Sequence, residues 1–428
     1  MVVITTSSDR HKCDRLRRSL AACGYELHII DHEWRGFLDK LRYTYDYLKS
    51  CGHTHFIYTD AWDTVCLRAD IPTPERFTIS AERACYPHPE KATLYPYVDS
   101  PFMFVNGGGW GGPVSEFIRL YESKPPTDEL NDQVWMTDIY LANTDSITLD
   151  TDCRIFQTLA FCEPTNFLGH LNTITVTYPY LWHGNGHTPL SLALDGMELT
   201  TATLAAKWAD TKESHAEIDR DLAELCNGNP KLKALRDHVE AHVLGFGERS
   251  FLGLWDVLLS DLPKNPRLLE IGVFRGQTLA AWRMIDPKAI IRGITPLDST
   301  DGHWESDYEK DIADLHKTFN LKQPTIWKGL STDSAILEKA ASADPFDLIY
   351  IDGGHSYEVA HSDVLRYSSF VKVGGLLVID DCANRYDLPD GMFKGIEAVS
   401  MAVDEQLPND YYIELFSVVH IRVFKRVK

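Results

Sequence analysis

The sequence lacks any apolar run of the roughly 20 residues that a membrane-spanning helix needs, although 44% of its residues are hydrophobic. The N-terminus also lacks the order of a secretory leader, because a short apolar stretch comes first and basic residues follow it. We therefore expect no membrane span, and we interpret residues 2–6 as a first β-strand.

Closely spaced cysteine pairs are absent as well. The nine cysteines are scattered, and no two of them form a Cys-x-x-Cys pair. Small disulfide frameworks and zinc sites usually show such spacings. The pattern indicates reduced thiols and a cytoplasmic protein.

Positive charge is scarce. The chain has 42 lysines and arginines against 62 aspartates and glutamates, which gives a formal net charge of -20. An acidic surface repels phosphate backbones and anionic lipid, so we expect no general nucleic-acid or membrane partner. A nucleotide ligand is not excluded, because a bound divalent ion can offset the phosphate charge locally.

Two strand-helix series are present in the 428 residues, a length that suffices for two or three domains. Alternating strands and helices are typical of α/β domains with largely parallel sheets. A polar, helix-favouring stretch separates the series, and the second one closes with two adjacent strands. We predict two α/β domains, residues 1–194 and 246–428, and a helical connector at 195–245.

The first candidate site is an Asp-x-x-Asp pair, Asp60 and Asp63, which follows the apolar residues 55–59. Open α/β sheets bind ligands at the carboxyl ends of their strands. Carboxylate oxygens suit Mn²⁺ or Mg²⁺ carrying a diphosphate. Taken alone, such a pair is more often a solvated turn.

Further polar residues accompany this pair. Asn106 and Gly108 lie in a glycine cluster, which allows close approach of the backbone to a ligand. Asp132 precedes an apolar helix, and His183 stands between an apolar run and glycines. Taken singly, Asp132 is better interpreted as a helix cap and His183 as a loop residue.

In this order, the residues resemble the GT-A glycosyltransferase domain of the collagen lysyl hydroxylases and procollagen glycosyltransferases, over roughly residues 1–190. The resemblance also includes Glu33-Trp34-Arg35-Gly36, Ser80-Ala81-Glu82, Arg154-Ile155-Phe156-Gln157 and His183-Gly184-Asn185-Gly186. It implies Asp60, Asp63 and His183 as Mn²⁺ ligands. It further implies that Trp62 stacks on the uracil of a UDP-sugar, that the Asn106 and Gly108 loop binds the nucleotide-sugar, and that Asp132 lies near the sugar or acceptor.

The sequence departs from this family in two places. The glycine-rich segment that follows Trp34-Arg35-Gly36 in the family is missing, and Gly107 replaces a serine of the loop. Both features concern nucleotide-sugar binding, so the family's sugar does not carry over. The collagen acceptor does not carry over either, because no part of the chain resembles the hydroxylase domain.

The second candidate site begins at Glu270, Gly272 and Gly276, where a strand, a glycine turn and a helix start follow one another. Such a turn lets the backbone pass close to a cofactor, with free N–H groups at the helix start. The spacing resembles the S-adenosylmethionine (SAM) motif of class I methyltransferases. Two later strands end in carboxylates, Asp352 and the pair Asp380-Asp381.

Residues 246–426 resemble the macrocin-type, metal-dependent sugar O-methyltransferases. The resemblance implies Asp352 and Asp381, with Asp380 as a further candidate, as Mg²⁺ ligands. It implies His355 as general base, since a metal and an imidazole together make a hydroxyl nucleophilic. The alternative is that Asp352 and His355 are hydrogen-bonded strand-end residues.

The second strand of this domain departs from the family pattern. It ends in Thr295, where the family has an acidic residue that binds the SAM ribose, and Asp298 follows three residues later. Asp298 is the candidate substitute. Without it, SAM affinity would be weak or the domain would have lost catalysis.

The sequence therefore predicts a bifunctional transferase that adds a sugar and a methyl group to a glycan or glycosylated small molecule. One alternative keeps a single active domain and gives the other a binding or scaffold role. A second alternative is a non-enzymatic nucleotide-sugar or glycan-binding protein. The sequence does not determine the oligomeric state.

Overall fold

The structure of the protein is a computed structural model that describes residues 1–127, 131–208, 215–245, 251–297, 307–384 and 393–428. The chain divides into two compact units. The first comprises Met1–Glu198 with Ala205–Lys207, and the second comprises Leu199–Leu204 with Trp208–Lys428. Within the described ranges, no helix combines the length and the apolar character that crossing a bilayer requires.

The first unit alternates strands and helices. Its elements are β1 (Val2–Ser7), α1 (Asp14–Ala22), β2 (Leu27–Asp31), α2 (Asp39–Leu48), β3 (His55–Thr59), β4 (Thr64–Cys66), β5 (Thr78–Glu82), β6 (Phe104–Pro113), α3 (Val114–Ser123), α4 (Asp132–Ala142), β7 (Thr148–Asp150), β8 (Phe156–Thr158), β9 (Phe167–Leu168), β10 (Leu171–Asn172), β11 (Leu181–His183) and α5 (Ser191–Leu194). The next helix, α6 (Thr201–Lys207), contains residues of both units.

The main sheet of this unit has six strands in the order β2-β1-β3-β6-β5-β7. Strands β1, β2 and β3 are parallel, and β6 runs antiparallel to both β3 and β5. A smaller sheet, β4-β11-β8, brings His183 at the end of β11 opposite Thr64 at the start of β4. Residues of both sheets therefore lie close to the segment that follows β3.

The glycine cluster was expected to be a loop, and this expectation is wrong. Residues 106–112 lie within β6, between β3 and β5. Glycines suit this strand because atoms of other residues lie so close to its backbone that a Cβ would clash with them. A Cβ at Gly109 would lie 2.6 Å from a ring carbon of Phe156, and one at Gly111 would lie 2.5 Å from the carbonyl oxygen of Phe56.

The second unit repeats the strand-helix alternation. Its elements are α7 (His215–Gly228), α8 (Pro230–His242), α9 (Leu252–Ser260), β12 (Arg267–Ile271), α10 (Gln277–Ile285), β13 (Ile290–Thr295), α11 (Tyr308–Thr318), β14 (Thr325–Lys328), α12 (Ser334–Ala341), β15 (Phe346–Ile351), α13 (Tyr357–Tyr367), β16 (Val371–Ile379), α14 (Glu397–Gln406), β17 (Tyr412–Val418) and β18 (Ile421–Arg426).

Seven strands form one sheet in the order β14-β13-β12-β15-β16-β18-β17. The first five strands in this order are mutually parallel, and β18 runs antiparallel to both β16 and β17. The predicted α/β class and the closing pair of antiparallel strands are confirmed. Because β18 runs in the opposite direction, its first residue lies at the same sheet edge as the carboxyl ends of β12, β15 and β16.

Helices α7 and α8 lie in the second unit, where α7 packs on α9 and α8 packs on α10. Their buried residues include Leu222 and Leu232. The segment predicted as a connector thus supplies helices with apolar faces.

Candidate functional sites

The first site forms where β3 ends. Asp60 and Asp63 follow this strand, and the Nε2 atom of His183 lies 3.9 Å from Oδ2 of Asp60 and 3.3 Å from Oδ1 of Asp63. The backbone N–H of Gly184 donates to the Asp63 carbonyl at 2.7 Å, which fixes the two segments together. The structure therefore brings together the three residues that the sequence analysis named as Mn²⁺ ligands.

This donor set fits a divalent ion. Ligands about 2.1 Å from an octahedral ion lie about 3.0 Å from each neighbouring ligand. The 3.3 Å distance between His183 and Asp63 is close to this spacing, and the 3.9 Å distance to Asp60 is longer. Carboxylate oxygens suit Mn²⁺, and imidazole is a ligand of transition metals. Nδ1 of His183 is buried and has no hydrogen-bond partner among the described residues.

The charges of Asp63 and His183 stabilise each other. Burial lowers the pKa of His183, but its hydrogen bond and charge interaction with Asp63 outweigh this effect and hold the pKa above the usual value. Burial raises the pKa of Asp63, and the interaction with His183 outweighs it in turn, so this pKa lies below the usual value. Both shifts favour the charged form of each side chain.

Gly108 is required by close packing at this site. A Cβ at this position would lie 2.1 Å from Cε1 of His183 and 2.9 Å from Oδ2 of Asp60. The carbonyl of Gly108 also accepts from the backbone N–H of Asp60 at 2.8 Å, and its N–H donates to Oδ1 of Asn106 at 3.0 Å. The absence of a Cβ at Gly108 thus leaves room for the Asp60 and His183 side chains, and hydrogen bonds of its backbone join Gly108 to Asp60 and Asn106.

Sequence reasoning missed Lys40, which lies in the first turn of α2. Its ammonium group forms an ion pair with Asp132 and donates to Oδ1 of Asp60 at 3.2 Å and to the carbonyl of Gly107 at 3.2 Å. Burial lowers the pKa of Lys40, but the carboxylates of Asp132 and Asp60 more than offset this and raise it well above the usual value. No motif marks this lysine, so the sequence offered no signal for it.

Asp132 is not the cap of α4. The cap is Asn131, whose Oδ1 accepts from the backbone N–H of Val134 at 2.7 Å. Asp132 is therefore free to point at Lys40. Burial raises the pKa of Asp132 above its usual value even though Lys40 acts in the opposite direction.

A second buried carboxylate, Glu82, anchors the other side of the site. It accepts from Nε2 of Gln133 at 2.5 Å and from Nδ2 of Asn185 at 2.8 Å. Oδ1 of Asn185 accepts from the backbone N–H groups of Leu159 and Ala160 at 3.0 and 2.9 Å. Burial is the main reason why the pKa of Glu82 is raised.

Trp62 lies at the exposed edge of the site, with 51% of its surface accessible. Its indole N–H donates to Oγ of Ser7 at 3.1 Å, and Nζ of Lys12 lies 4.1 Å from the ring centroid. One ring face is thus in contact with a cation, and the ring is exposed enough to stack on a flat ligand.

The second site lies at the carboxyl edge of the seven-stranded sheet. Gly272 follows β12 with a φ of 93°, and a Cβ there would lie 1.7 Å from the carbonyl oxygen of Asp352. Gly276 precedes α10 with a φ of 83°. Both positions need glycine, and they lie in the turn that the sequence predicted.

Glu270 is fully buried just before this turn. Its Oε2 atom has no hydrogen-bond partner among the described residues. Burial raises its pKa to about 8, and the nearby Asp380 adds to this effect. The unpartnered oxygen leaves one hydrogen-bonding position of this carboxyl group unused among the described residues.

Three polar residues meet where β16 ends. Nδ1 of His420 lies 2.6 Å from Oδ1 of Asp380 and 3.3 Å from Oδ1 of Asp381. One ligand atom from each of these residues lies within 4.8 Å of the other two. Burial lowers the pKa of His420, but its hydrogen bonds to the two carboxylates outweigh burial and raise the pKa to about 9.

Sequence reasoning also missed His420. It precedes β18, and no motif accompanies it. Only the antiparallel pairing of β18 with β16, in which Ile379 lies opposite Arg422, brings it to the carboxyl edge.

Asp352 lies beside this cluster. The hydroxyl of Tyr350 donates to Oδ2 of Asp380 at 2.6 Å and lies 3.4 Å from Oδ2 of Asp352. Burial, and then the charge of Asp380, raises the pKa of Asp352 well above the usual value. The carboxyl groups predicted as metal ligands are therefore neighbours.

His355 lies on the exposed side of Asp381. Its Nε2 atom is 3.2 Å from Oδ2 of Asp381, and its side chain is 50% exposed. Asp381 thus contacts His420 with one oxygen and His355 with the other.

Thr295 ends β13, as the sequence predicted. Its Oγ1 accepts from the backbone N–H of Leu297 at 3.2 Å. Asp298, the candidate substitute for the missing acidic residue, lies outside the described residues.

Comparison with known families agrees with both resemblances. Residues 1–200 match the family described as the PLOD GT domain, and residues 269–382 match a family described as a methyltransferase domain. Two regions of the chain are therefore similar to two transferase families. The expected resemblances are confirmed.

Individual relatives match only in part. Procollagen-lysine,2-oxoglutarate 5-dioxygenase 1 of Homo sapiens is 35% identical over 124 residues, which are 26% of this chain and 17% of that protein. The multifunctional procollagen lysine hydroxylase and glycosyltransferase of Caenorhabditis elegans is 27% identical over 225 residues, 44% of this chain and 30% of that protein. The chain spans less than a third of the length of either relative.

Among solved structures, an SAH-bound methyltransferase of Podospora anserina is similar, with 14% identity and a TM-score of 0.37. The similarity covers 50% of this chain and 96% of that chain. The fold of the second unit rests on its own strand order rather than on this likeness.

Proposed function

We propose that this chain, which joins a PLOD-type glycosyltransferase domain to a methyltransferase domain, is a bifunctional transferase. The first domain transfers a sugar from a UDP-sugar in a Mn²⁺-dependent reaction. The second transfers a methyl group from SAM to a hydroxyl oxygen. The acceptor is a glycan or glycosylated small molecule. The convergence of His183 on Asp60 and Asp63, far from it in sequence, is the observation that carries this proposal.

In the first domain, Asp60, Asp63 and His183 would hold Mn²⁺, which would neutralise charge on the departing diphosphate. Lys40 fixes the carboxylates of Asp60 and Asp132 relative to each other through its buried ammonium group. In this proposal, Asp132 would orient an acceptor hydroxyl.

In the second domain, the turn at Gly272 and Gly276 would let the backbone approach SAM, and the unpartnered carboxyl oxygen of Glu270 would be available to a polar group of the cofactor. Asp352, Asp380 and Asp381 would hold a divalent ion that lowers the pKa of the acceptor hydroxyl. His355 accepts the hydroxyl proton on Nδ1, because Asp381 engages its Nε2 atom.

A cytoplasmic location is part of the proposal. It is supported by the nine cysteines, which are all free and all lie in the described part of the chain.

The test of the first activity is titration calorimetry of the full chain with UDP, in MnCl₂ and in EDTA. We expect Asp63→Ala to abolish the metal-dependent part of UDP binding while the melting temperature stays near that of the wild type. Asp145→Ala, at an exposed turn of the same unit, is the matched control. UDP affinity that is the same in EDTA and in MnCl₂ would contradict the proposal.

A second candidate function keeps only the glycosyltransferase active and makes the other domain a SAM- or glycan-binding module. Thr295 favours it, because no acidic residue ends β13. Calorimetry with S-adenosylhomocysteine separates the candidates. Absence of both heat and thermal shift at millimolar ligand would exclude methyl transfer from SAM.

A further inference from the structure

The imidazole of His420 contacts two carboxylates at the methyltransferase site. We propose that His420 completes the divalent metal site with Asp380 and Asp381, and that the ion is a transition metal such as Mn²⁺ rather than Mg²⁺. This inference rests on the proposed metal-dependent methyl transfer and goes beyond it, because the resemblance implied carboxylates alone.

The spacing of the donor atoms carries the first step. Nδ1 of His420 lies 2.6 Å from an oxygen of Asp380 and 3.3 Å from an oxygen of Asp381. Adjacent ligands of an octahedral ion are about 3.0 Å apart. Both distances from Nδ1 therefore lie within about 0.4 Å of the spacing between adjacent ligands, and the three ligand atoms lie within 4.8 Å of one another.

The imidazole is also held in this orientation from outside. Phe251 and Phe393 pack on its ring, with centroid distances of 5.3 and 5.2 Å. The carbonyl of His420 accepts from the backbone N–H of Cys382 at 2.9 Å, which ties the β17–β18 turn to the residue after Asp381. Because two rings and one backbone bond fix the residue, Nδ1 is directed at the carboxylates before any ion arrives.

The carboxylates are fixed as well. Asp380 accepts from the hydroxyl of Tyr350 at 2.6 Å and from the backbone N–H of Asp381 at 2.8 Å. Asp381 has a φ of 54°, which is rare for a residue other than glycine, and the backbone N–H of Ile396 binds its carbonyl at 2.8 Å. A strained backbone conformation of this kind persists only where several surrounding contacts hold it, and such residues are concentrated at functional sites.

The donor chemistry determines the choice of ion. Mg²⁺ prefers oxygen ligands and keeps several waters, whereas imidazole suits transition metals. One nitrogen beside the carboxylate oxygens of Asp352, Asp380 and Asp381 therefore favours Mn²⁺ over Mg²⁺.

The competing explanation is that His420 only donates a hydrogen bond that fixes Asp380. Pulsed electron paramagnetic resonance separates the two, because a bound imidazole nitrogen modulates the Mn²⁺ echo. The experiment uses the full chain with Asp63→Ala and His183→Ala, which remove two donors of the other site. MnCl₂ is the probe, and Mn²⁺ and Mg²⁺ affinities are measured by calorimetry.

We expect the nitrogen modulation in this chain, its loss on His420→Ala, and its retention on His355→Ala, the matched histidine on the other oxygen of Asp381. Mn²⁺ affinity should fall about tenfold or more on His420→Ala, and Mg²⁺ affinity should change less. If His420→Ala does not fold, His420→Asn keeps a polar group near Nδ1 and should lose the modulation too. Mn²⁺ binding without the modulation, a modulation that persists without His420, or no Mn²⁺ binding would each overturn the proposal. None of these readouts depends on methyl transfer, so failure of the catalytic proposal is seen separately.

Discussion

Replacement of Lys40 by methionine tests how the first site is held together. The side chains of Lys40 and Asp132 are only 11% and 7% exposed. Methionine keeps the apolar stem of the lysine and removes the charge, so Lys40→Met leaves the Asp132 carboxylate buried without its cation. Removal of one partner from a buried ion pair costs about 3–5 kcal/mol.

This loss converts to a melting shift. For a domain of 150–250 residues, 1 kcal/mol corresponds to about 2–4 °C, so we expect the melting temperature of the first domain to fall by about 6–20 °C. The assay is differential calorimetry of the full chain, following the transition that UDP and Mn²⁺ shift. Lys40→Met, Asp132→Asn removes both buried charges, and we expect it to recover most of the lost stability without recovering UDP-sugar turnover.

The pH dependence gives an independent check. Burial already raises the pKa of Asp132, and loss of Lys40 raises it further. A carboxyl group whose folded pKa is raised destabilises the folded state once pH exceeds the unfolded pKa, because the unfolded chain gives up the proton first. The stability deficit of Lys40→Met should therefore grow as pH rises above the unfolded pKa of the carboxyl group and shrink on acidification. If Lys40→Met alone melts within about 1 °C of the wild type, or if its stability deficit grows on acidification, this reasoning is refuted.

Three further predictions follow from particular contacts. A Cβ at Gly108 would lie 2.1 Å from Cε1 of His183, so Gly108→Ala should weaken Mn²⁺-dependent UDP binding at least about tenfold by calorimetry. The control is Gly196→Ala, which should leave UDP binding unchanged because no atom lies within 4 Å of its Cβ. Equal losses in the two variants would contradict the argument. Burial raises the pKa of Glu270 to about 8, so the contribution of this carboxyl group to stability is lost as pH rises from about 4.5 to 8. Glu270→Gln should therefore reduce the pH dependence of the free energy of unfolding in urea, between pH 5.5 and 7.5, by up to ~1.4 kcal/mol per pH unit. An unchanged slope would show that the carboxyl group is already ionised. Because Thr295 stands where the family has an acidic residue, S-adenosylhomocysteine should bind about tenfold to a hundredfold more weakly than to a site that has that acidic residue. His355→Ala should leave the affinity for S-adenosylhomocysteine near that of the wild type and slow methyl transfer. Full methyl transfer in this variant would show that His355 only forms hydrogen bonds.

The residues that lie in local motifs were predictable. Asp60, Gly272 and Asp352 each directly follow a strand in the structure, and Asp63 lies between β3 and β4. Apolar runs and glycine turns are local signals, because the side-chain period of a strand and a positive φ depend on few neighbouring residues. Their functional roles stay predictions until they are measured.

The glycine cluster shows where a local signal was ambiguous. A run of glycines is compatible with a loop or with a strand that other elements press against, and composition does not separate the two. This segment became part of a strand because β3 pairs with residues 109–113 and β5 pairs with residues 104–105 and 110–111. That condition lies outside the segment itself.

By itself, the sequence determined the two strand-helix series, the carboxylates that end strands, and the turns that only glycine can make. Tertiary structure alone decided that Lys40 binds Asp60 and Asp132, that Asn131 rather than Asp132 caps α4, and that His420 meets Asp380. These contacts join segments far apart in the chain or depend on side-chain direction. Sheet register and burial fix them, because a buried charge is stable only where a partner from another element is within reach.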